Sequence, residues 1–270
     1  METRAVMIKI WTAEEQADFG QQLAACRRAV IFLDYDGTLA PLVPDRDNAR
    51  PFPGVREALD RLLAIKHCRT VLVSGRRVME LQPLLQSRLP FEAWGSHGGE
   101  HLRVTGQMEM ATISEEAREG LRIAAEKITG LLDEHAIERK PSSVAAHVSG
   151  VNAELVPQYL TEIDELWEPV AEEFGLELLD FHEGMEMRVP GMNKSRAIYS
   201  VLSEEPKNAV KVYIGDDVTD EDAFRALDDQ SHTILIGREK RTSAARWLLP
   251  ERPYGRHIID FLNATASALS

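Results

Sequence analysis

The chain has 270 residues, 44% of them hydrophobic, two cysteines and a formal net charge of −13. That is apolar material for one large core or two modest ones, and the acidic balance sets the chain against nucleic acid and anionic membrane surfaces. No stretch approaches the ~18 apolar residues of a membrane span, and the opening residues lack the basic-then-apolar layout of a signal peptide, so a cytoplasmic protein that meets neither partner is expected.

In chain order, Thr12-Ala13-Glu14-Glu15 has the spacing of a capping box and predicts a helix to about Arg27. Cys26 and Cys68 form neither a CxxC pair nor a metal-type spacing and read as free thiols of a reducing compartment. Ala29 to Leu33 is apolar throughout, as in a strand buried on both faces of a parallel sheet, and it stops abruptly at Asp34. A helical pattern runs from Val55 to Ile65, with Leu59, Leu62 and Leu63 on one face, and a second buried strand follows at Thr70 to Val73. The pattern then changes. A long helix is predicted from Ser114 to about His135, an alternating strand at Val144 to Val148, a helix from Leu155 to Phe174, and short strands near Leu176–Phe181 and Met185–Val189. Buried strands return at Val210–Ile214 and Thr233–Ile236. Strand alternating with helix predicts an α/β fold: a Rossmann-like parallel-sheet core of residues 1–104 and 190–270, with an α+β insertion at 105–189 of ordinary domain size. The chain should cross between the two near Arg103–Gln107 and Val189–Gly191.

Chemistry concentrates at the strand ends. Asp34-Tyr35-Asp36-Gly37-Thr38 places two carboxylates around a turn at the edge where open α/β sheets bind ligands; one can attack while the other moves protons. The same residues also suit an ordinary acidic turn. Gly215-Asp216-Asp217-Val218-Thr219-Asp220-Glu221-Asp222 follows another buried strand and carries five acidic residues in seven positions. They repel one another unless a cation sits among them, and with no nitrogen or sulfur ligand nearby a hard ion such as Mg²⁺ fits. Helix capping is the competing role, strongest for Asp220, Glu221 and Asp222, whereas Asp216, nearest the strand end, favours the metal. Val73-Ser74-Gly75-Arg76 offers a small hydroxyl and free amides as a modest phosphate cradle. Lys194, within Met192-Asn193-Lys194-Ser195, says little by itself.

In this order, the four segments resemble the motifs of the haloacid dehalogenase superfamily. The resemblance implies that Asp34 is a nucleophile, Asp36 the general acid and base, Ser74 with Gly75 the phosphate ligands, and Lys194 the neutralising cation. It also implies Mg²⁺ held by Asp34, Asp36, Asp216 and Asp217. Three longer runs, Phe32 to Pro41, Gly95-Ser96-His97-Gly98-Gly99-Glu100 and Tyr213 to Phe224, resemble the trehalose-6-phosphate phosphatase family, in which the insertion is an α+β cap over the sugar. Carried over by position, Arg76, Glu100, Lys140, His147, Glu186 and Arg188 would lie near sugar or phosphate. The chain departs from that family at His147-Val148-Ser149, where His-Tyr-Arg is usual, and at Asn193-Lys194-Ser195, where Lys-Gly is usual. The resemblance makes trehalose 6-phosphate the expected substrate of a monomer or small homo-oligomer, and the departure at Val148 and Ser149 sets a phosphorylated glucosyl- or mannosylglycerate, or glucosylglycerol phosphate, beside it as the alternative. A receiver domain is set aside because it gives Asp36 no role. A non-catalytic sugar-phosphate sensor and a phosphomutase are the other rivals.

Overall fold

The computed structural model describes residues 8–43, 45–148, 150–181, 184–238 and 241–270. Its strands are β1 (Lys9–Ile10), β2 (Ala29–Leu33), β3 (Cys68–Val73), β4 (Glu92–Gly95), β5 (Glu100–Leu102) and β6 (Met108–Met110). Then come β7 (Ile137–Arg139), β8 (Ser143–His147), β9 (Glu177–Phe181) and β10 (Gly184–Arg188), and last β11 (Val210–Gly215), β12 (His232–Gly237) and β13 (Trp247–Pro250). The helices are α1 (Ala13–Ala25), α2 (Val55–Leu63), α3 (Val78–Leu85), α4 (Glu115–Lys127), α5 (Val156–Phe174), α6 (Lys194–Ser203), α7 (Glu221–Ala226) and α8 (Arg256–Ala268). Two compact units result, Met1–Met108 with Lys194–Ser270, and Glu109–Asn193.

The large sheet has the order β1-β13-β12-β11-β2-β3-β4-β5-β6. From β1 to β4 neighbouring strands are parallel, and β5 returns antiparallel to β4. Along β2 alternate side chains enter different cores. Ile31 and Leu33 join Phe19, Leu59 and Phe261 on one face, while Val30 and Phe32 join Trp94, Ile198 and Phe224 on the other. Burial on both faces explains why the strand carries no polar residue. Leu33 pairs with Ile214 on one side and Leu72 on the other, which brings the carboxyl ends of β11, β2 and β3 level with one another. The residues that follow each strand therefore emerge along one edge. No helix among the described residues is long and apolar enough to cross a membrane.

The second unit has its own sheet, ordered β7-β8-β10-β9 and antiparallel throughout. Val144, Ala146, Met185 and Met187 form its apolar face and pack with Trp167 of α5, whose Nε1 donates to the Ala124 carbonyl at 2.9 Å. Helix α4 stops at Lys127 rather than near His135, because Gly130 takes a φ of +91° and turns the chain. The unit starts four residues inside the expected 105–189 and ends four residues past it, at Asn193, where Val189 and Met192 pack against its core.

Candidate active site

Asp34 follows β2 and is buried, and its Oδ1 accepts a hydrogen bond from Lys194 Nζ at 2.6 Å. Lys194, the first residue of α6, donates equally to Asp220 Oδ1 at 2.6 Å. Asp220 is fully buried and serves as the frame of this corner. It also accepts from Tyr213 Oη at 2.5 Å, and its Oδ2 accepts from the amides of Asp216 and Asp217, both at 3.0 Å. Burial pushes the Asp34 carboxyl up to about 7 against the pull of Lys194, with the charges of Asp220 and Asp36 adding to the rise. The Asp216 carboxyl rises too, through burial and then the charges of Asp34 and Asp220. Burial disfavours the Lys194 ammonium, but Asp220 and Asp34 outweigh it and raise its pKa. Three carboxylates thus face one ammonium, and the site is short of positive charge.

Carboxylate oxygens of Asp34, Asp216 and Asp220 lie within 4.8 Å of one another, a donor set that fits a hard divalent cation. Asp220 is committed to its four hydrogen bonds, so Asp34 and Asp216 are the members with acceptor capacity left. Gly37, with φ at +77°, lets Asp216 approach. A Cβ there would stand 2.0 Å from Asp216 Oδ2, and the neighbouring Thr38 hydroxyl donates to Asp216 Oδ1 at 3.1 Å.

Asp36 is half-buried, and both of its oxygens accept from Arg76, Nε to Oδ2 and Nη2 to Oδ1, each at 2.7 Å. Arg76 is itself buried and lies over the Tyr35 ring at 5.8 Å. The Arg76 expected near substrate is therefore the partner of Asp36 in this structure. Ser74 follows β3; its Oγ accepts from the Arg76 amide at 3.1 Å, leaving its proton without an acceptor among the described residues. Gly75 is next to it at the same edge, half-buried.

Two expectations need correction. Asp217 was expected among the metal ligands, but its carboxylate accepts from the Val218 amide at 2.7 Å as a helix cap, and Asp220 stands in the cluster instead. Glu100 was expected near the sugar, yet it is buried and accepts from the Val78 amide at 2.7 Å and Arg77 Nε at 3.1 Å. It caps α3, because the antiparallel return of β5 carries it beneath that helix.

In the second unit, Lys140, His147, Glu186 and Arg188 lie on the face of the small sheet opposite its core. Glu186 and Glu138 both pair with Ala145, whose small side chain separates the two carboxylates. Lys140 Nζ stands 3.4 Å from Glu138 and 3.5 Å from Glu186, while His147 Nε2 is 2.9 Å from Glu138 and Ser143 Oγ donates to Glu186 at 2.7 Å. Arg188 pairs with Glu177 at 3.3 Å. Glu138 was not anticipated; its position two residues before Lys140 on an alternating strand is the signal. Val148 packs into the apolar core, and Ser149 lies outside the described residues.

The family model described as "Trehalose-phosphatase" matches residues 32–249. A trehalose-6-phosphate phosphatase-related protein of Thermoplasma acidophilum is 31% identical over 214 residues, covering 77% of this chain and 86% of its own length. A trehalose-phosphate phosphatase of Mycobacterium marinum is 30% identical over 260 residues, 90% of this chain, and the match spans 63% of that longer protein. Among solved structures, the C-terminal domain of the C. albicans trehalose-6-phosphate phosphatase superposes with a TM-score of 0.82 at 21% identity, covering 98% of this chain and 99% of that one, a likeness of fold.

Proposed function

The chain belongs to the trehalose-phosphatase family of phosphoric monoester hydrolases, and from that premise we propose that it hydrolyses trehalose 6-phosphate to trehalose and phosphate with Mg²⁺ as cofactor and Asp34 as nucleophile. The observation that carries the reading is the convergence of Asp34, Lys194, Asp216 and Asp220 from three separate segments onto one sheet edge.

A carboxylate approaching a phosphate dianion meets repulsion of about 4 kcal/mol per charge pair at 4 Å and an effective dielectric near 20. Asp34, Asp216 and the Asp36 main-chain carbonyl would hold Mg²⁺, which when bound supplies the positive charge that three carboxylates and one ammonium lack. Asp34 then attacks phosphorus through the oxygen not held by Lys194. Asp36, turned away from Arg76, takes up a proton from solvent; the bond from phosphorus to the sugar oxygen breaks, and that oxygen takes this proton from the Asp36 carboxyl group. In the second half, water attacks the Asp34-bound phosphoryl group, gives its proton to Asp36, and releases phosphate as the Asp34–phosphorus bond breaks. Ser74 donates its free hydroxyl proton to a phosphate oxygen. Glu138, Lys140 and Glu186 present the alternating acceptors and donor that sugar hydroxyls require.

Phosphate release should be measured on trehalose 6-phosphate, glucosyl-3-phosphoglycerate, glucosylglycerol phosphate and glucose 6-phosphate, with Mg²⁺ and with chelator, in the native chain and Asp34→Asn. The expected result is a preference for trehalose 6-phosphate, abolished by chelator and by the substitution. Activity that survives Asp34→Asn would falsify the covalent mechanism. Because Val148 is a core packing residue and leaves no aromatic side chain there for a sugar, preference for another glycosyl phosphate is the second reading, decided by the same panel.

A further inference from the structure

The run Gly95–Glu100 enters the chemistry above nowhere, yet its backbone is the most strained segment near the catalytic edge. Ser96 and His97 are consecutive non-glycine residues in the left-handed region, with φ of +49° and +51°, and Gly98 follows at +100°. The Ser96 hydroxyl is buried without a hydrogen-bond partner among the described residues. A turn that only joined β4 to β5 would favour glycine at both positions.

What the strained turn places is the His97 imidazole. A Cβ built on Gly75 would stand 2.4 Å from its Nε2 and 2.5 Å from its Cε1, so the ring lies directly on the Gly75 backbone. Gly75 itself is outside the left-handed region; its missing side chain serves close approach rather than conformation. Main-chain hydrogen bonds bind the two turns together, Ser96 N to Arg76 O at 2.7 Å and His97 N to Ser74 O at 3.1 Å. From the other side Arg196, two residues beyond Lys194 on α6, donates to the Gly98 carbonyl and lies over the Trp94 ring at 5.6 Å. The turn therefore ties the Ser74–Arg76 cradle to the helix that carries Lys194.

We propose that His97 is a positioning residue: its ring, pressed on Gly75, fixes the Ser74-Gly75-Arg76 turn so that the Ser74 hydroxyl and the partner of Asp36 meet a phosphoryl group in one geometry. The inference rests on the phosphatase reading for its kinetic readout, so binding of orthovanadate, a phosphoryl mimic, is measured calorimetrically beside kcat and KM, all in Mg²⁺.

His97→Ala is expected to lower kcat roughly 10- to 100-fold with KM changed less than about threefold and the melting temperature unmoved, the signature of misplacement rather than lost folding. Gly75→Ala, whose methyl group displaces the ring, should show the same loss, and the double variant no further loss, because both substitutions remove one contact. His97→Phe keeps a ring over Gly75 and should return kcat to within about threefold of the native chain. Vanadate affinity should fall in parallel in the three alanine variants. Native-like kcat and vanadate affinity in His97→Ala, or losses that multiply in the double variant, would overturn the proposal. Should His97→Ala fail to fold, native-like behaviour of Gly75→Ala overturns it alone. A native chain that binds vanadate but leaves trehalose 6-phosphate intact overturns only the substrate reading, and one that binds no vanadate overturns both.

Discussion

At Asp216 function and stability pull in opposite directions. Its carboxyl is raised by burial and by Asp34 and Asp220, so at neutral pH its ionised form costs the folded state free energy. Asparagine would keep an acceptor for Thr38 and remove the charge. Asp216→Asn is therefore expected to melt at a higher temperature than the native chain in chelator, while the upward shift that Mg²⁺ gives the native chain disappears. Thermal denaturation with and without the metal reads both effects, and an unchanged Mg²⁺ shift would remove Asp216 from the ligand set. Gly37 makes the opposite case, since an added methyl meets both a φ of +77° and the Asp216 carboxylate at 2.0 Å. Gly37→Ala should cost about 1–3 kcal/mol of stability and roughly 100-fold in kcat, checked by urea unfolding and steady-state kinetics.

Among the elements, β3 and β4 are joined at their amino ends by Arg69 and Glu92, Nε to Oε2 at 2.7 Å and Nη2 to Oε1 at 2.8 Å, with His101 of β5 at 2.9 Å from the same carboxylate. Burial works against the Glu92 charge, but the hydrogen bonds from His101 and Arg69 prevail and hold its pKa at about 2, below the ordinary 4.5. A depressed carboxyl stabilises the fold fully above the unfolded value and loses that contribution as pH falls from 4.5 towards 2. The shift corresponds to about 3 kcal/mol. Urea unfolding at pH 7 and pH 3 should show the native chain losing about 2 kcal/mol more on acidification than Glu92→Gln; equal losses would refute the assignment. On the small sheet, Lys140 stands between two carboxylates, and Lys140→Ala should raise KM for trehalose 6-phosphate roughly tenfold while leaving p-nitrophenyl phosphate turnover in place. The long strands and the amphipathic helices were legible because a buried run or a 3.6-residue period is a local signal. β4, β5 and β7, only three or four residues long, offer too few positions to show a period, and with them went the capping role of Glu100 and the place of Glu138.

For the whole molecule, the two cores of the first unit and the separate core of the second imply that each unit holds its own stability. Trp167 is fully buried in the second unit, and Trp167→Ala should cost that unit about 3–5 kcal/mol. Urea unfolding followed by circular dichroism is expected to become biphasic, whereas a single transition shifted as a whole to lower urea would show that the units unfold as one. The sequence by itself determined the chemistry available to this protein: Asp34 and Asp36 around one glycine turn, Asp216 after a buried strand, Ser74 at another, and the strands that deliver them. These are statements about neighbours in the chain, which a strand end and a turn fix locally. Only the tertiary structure decided the partners: Lys194 joined to Asp34 across 160 positions, Asp36 held by Arg76, Asp220 rather than Asp217 in the cluster, and His97 laid on Gly75. The physical reason is that a carboxylate's role depends on which donors and charges surround it, and here the register of β11, β2 and β3 chose those neighbours.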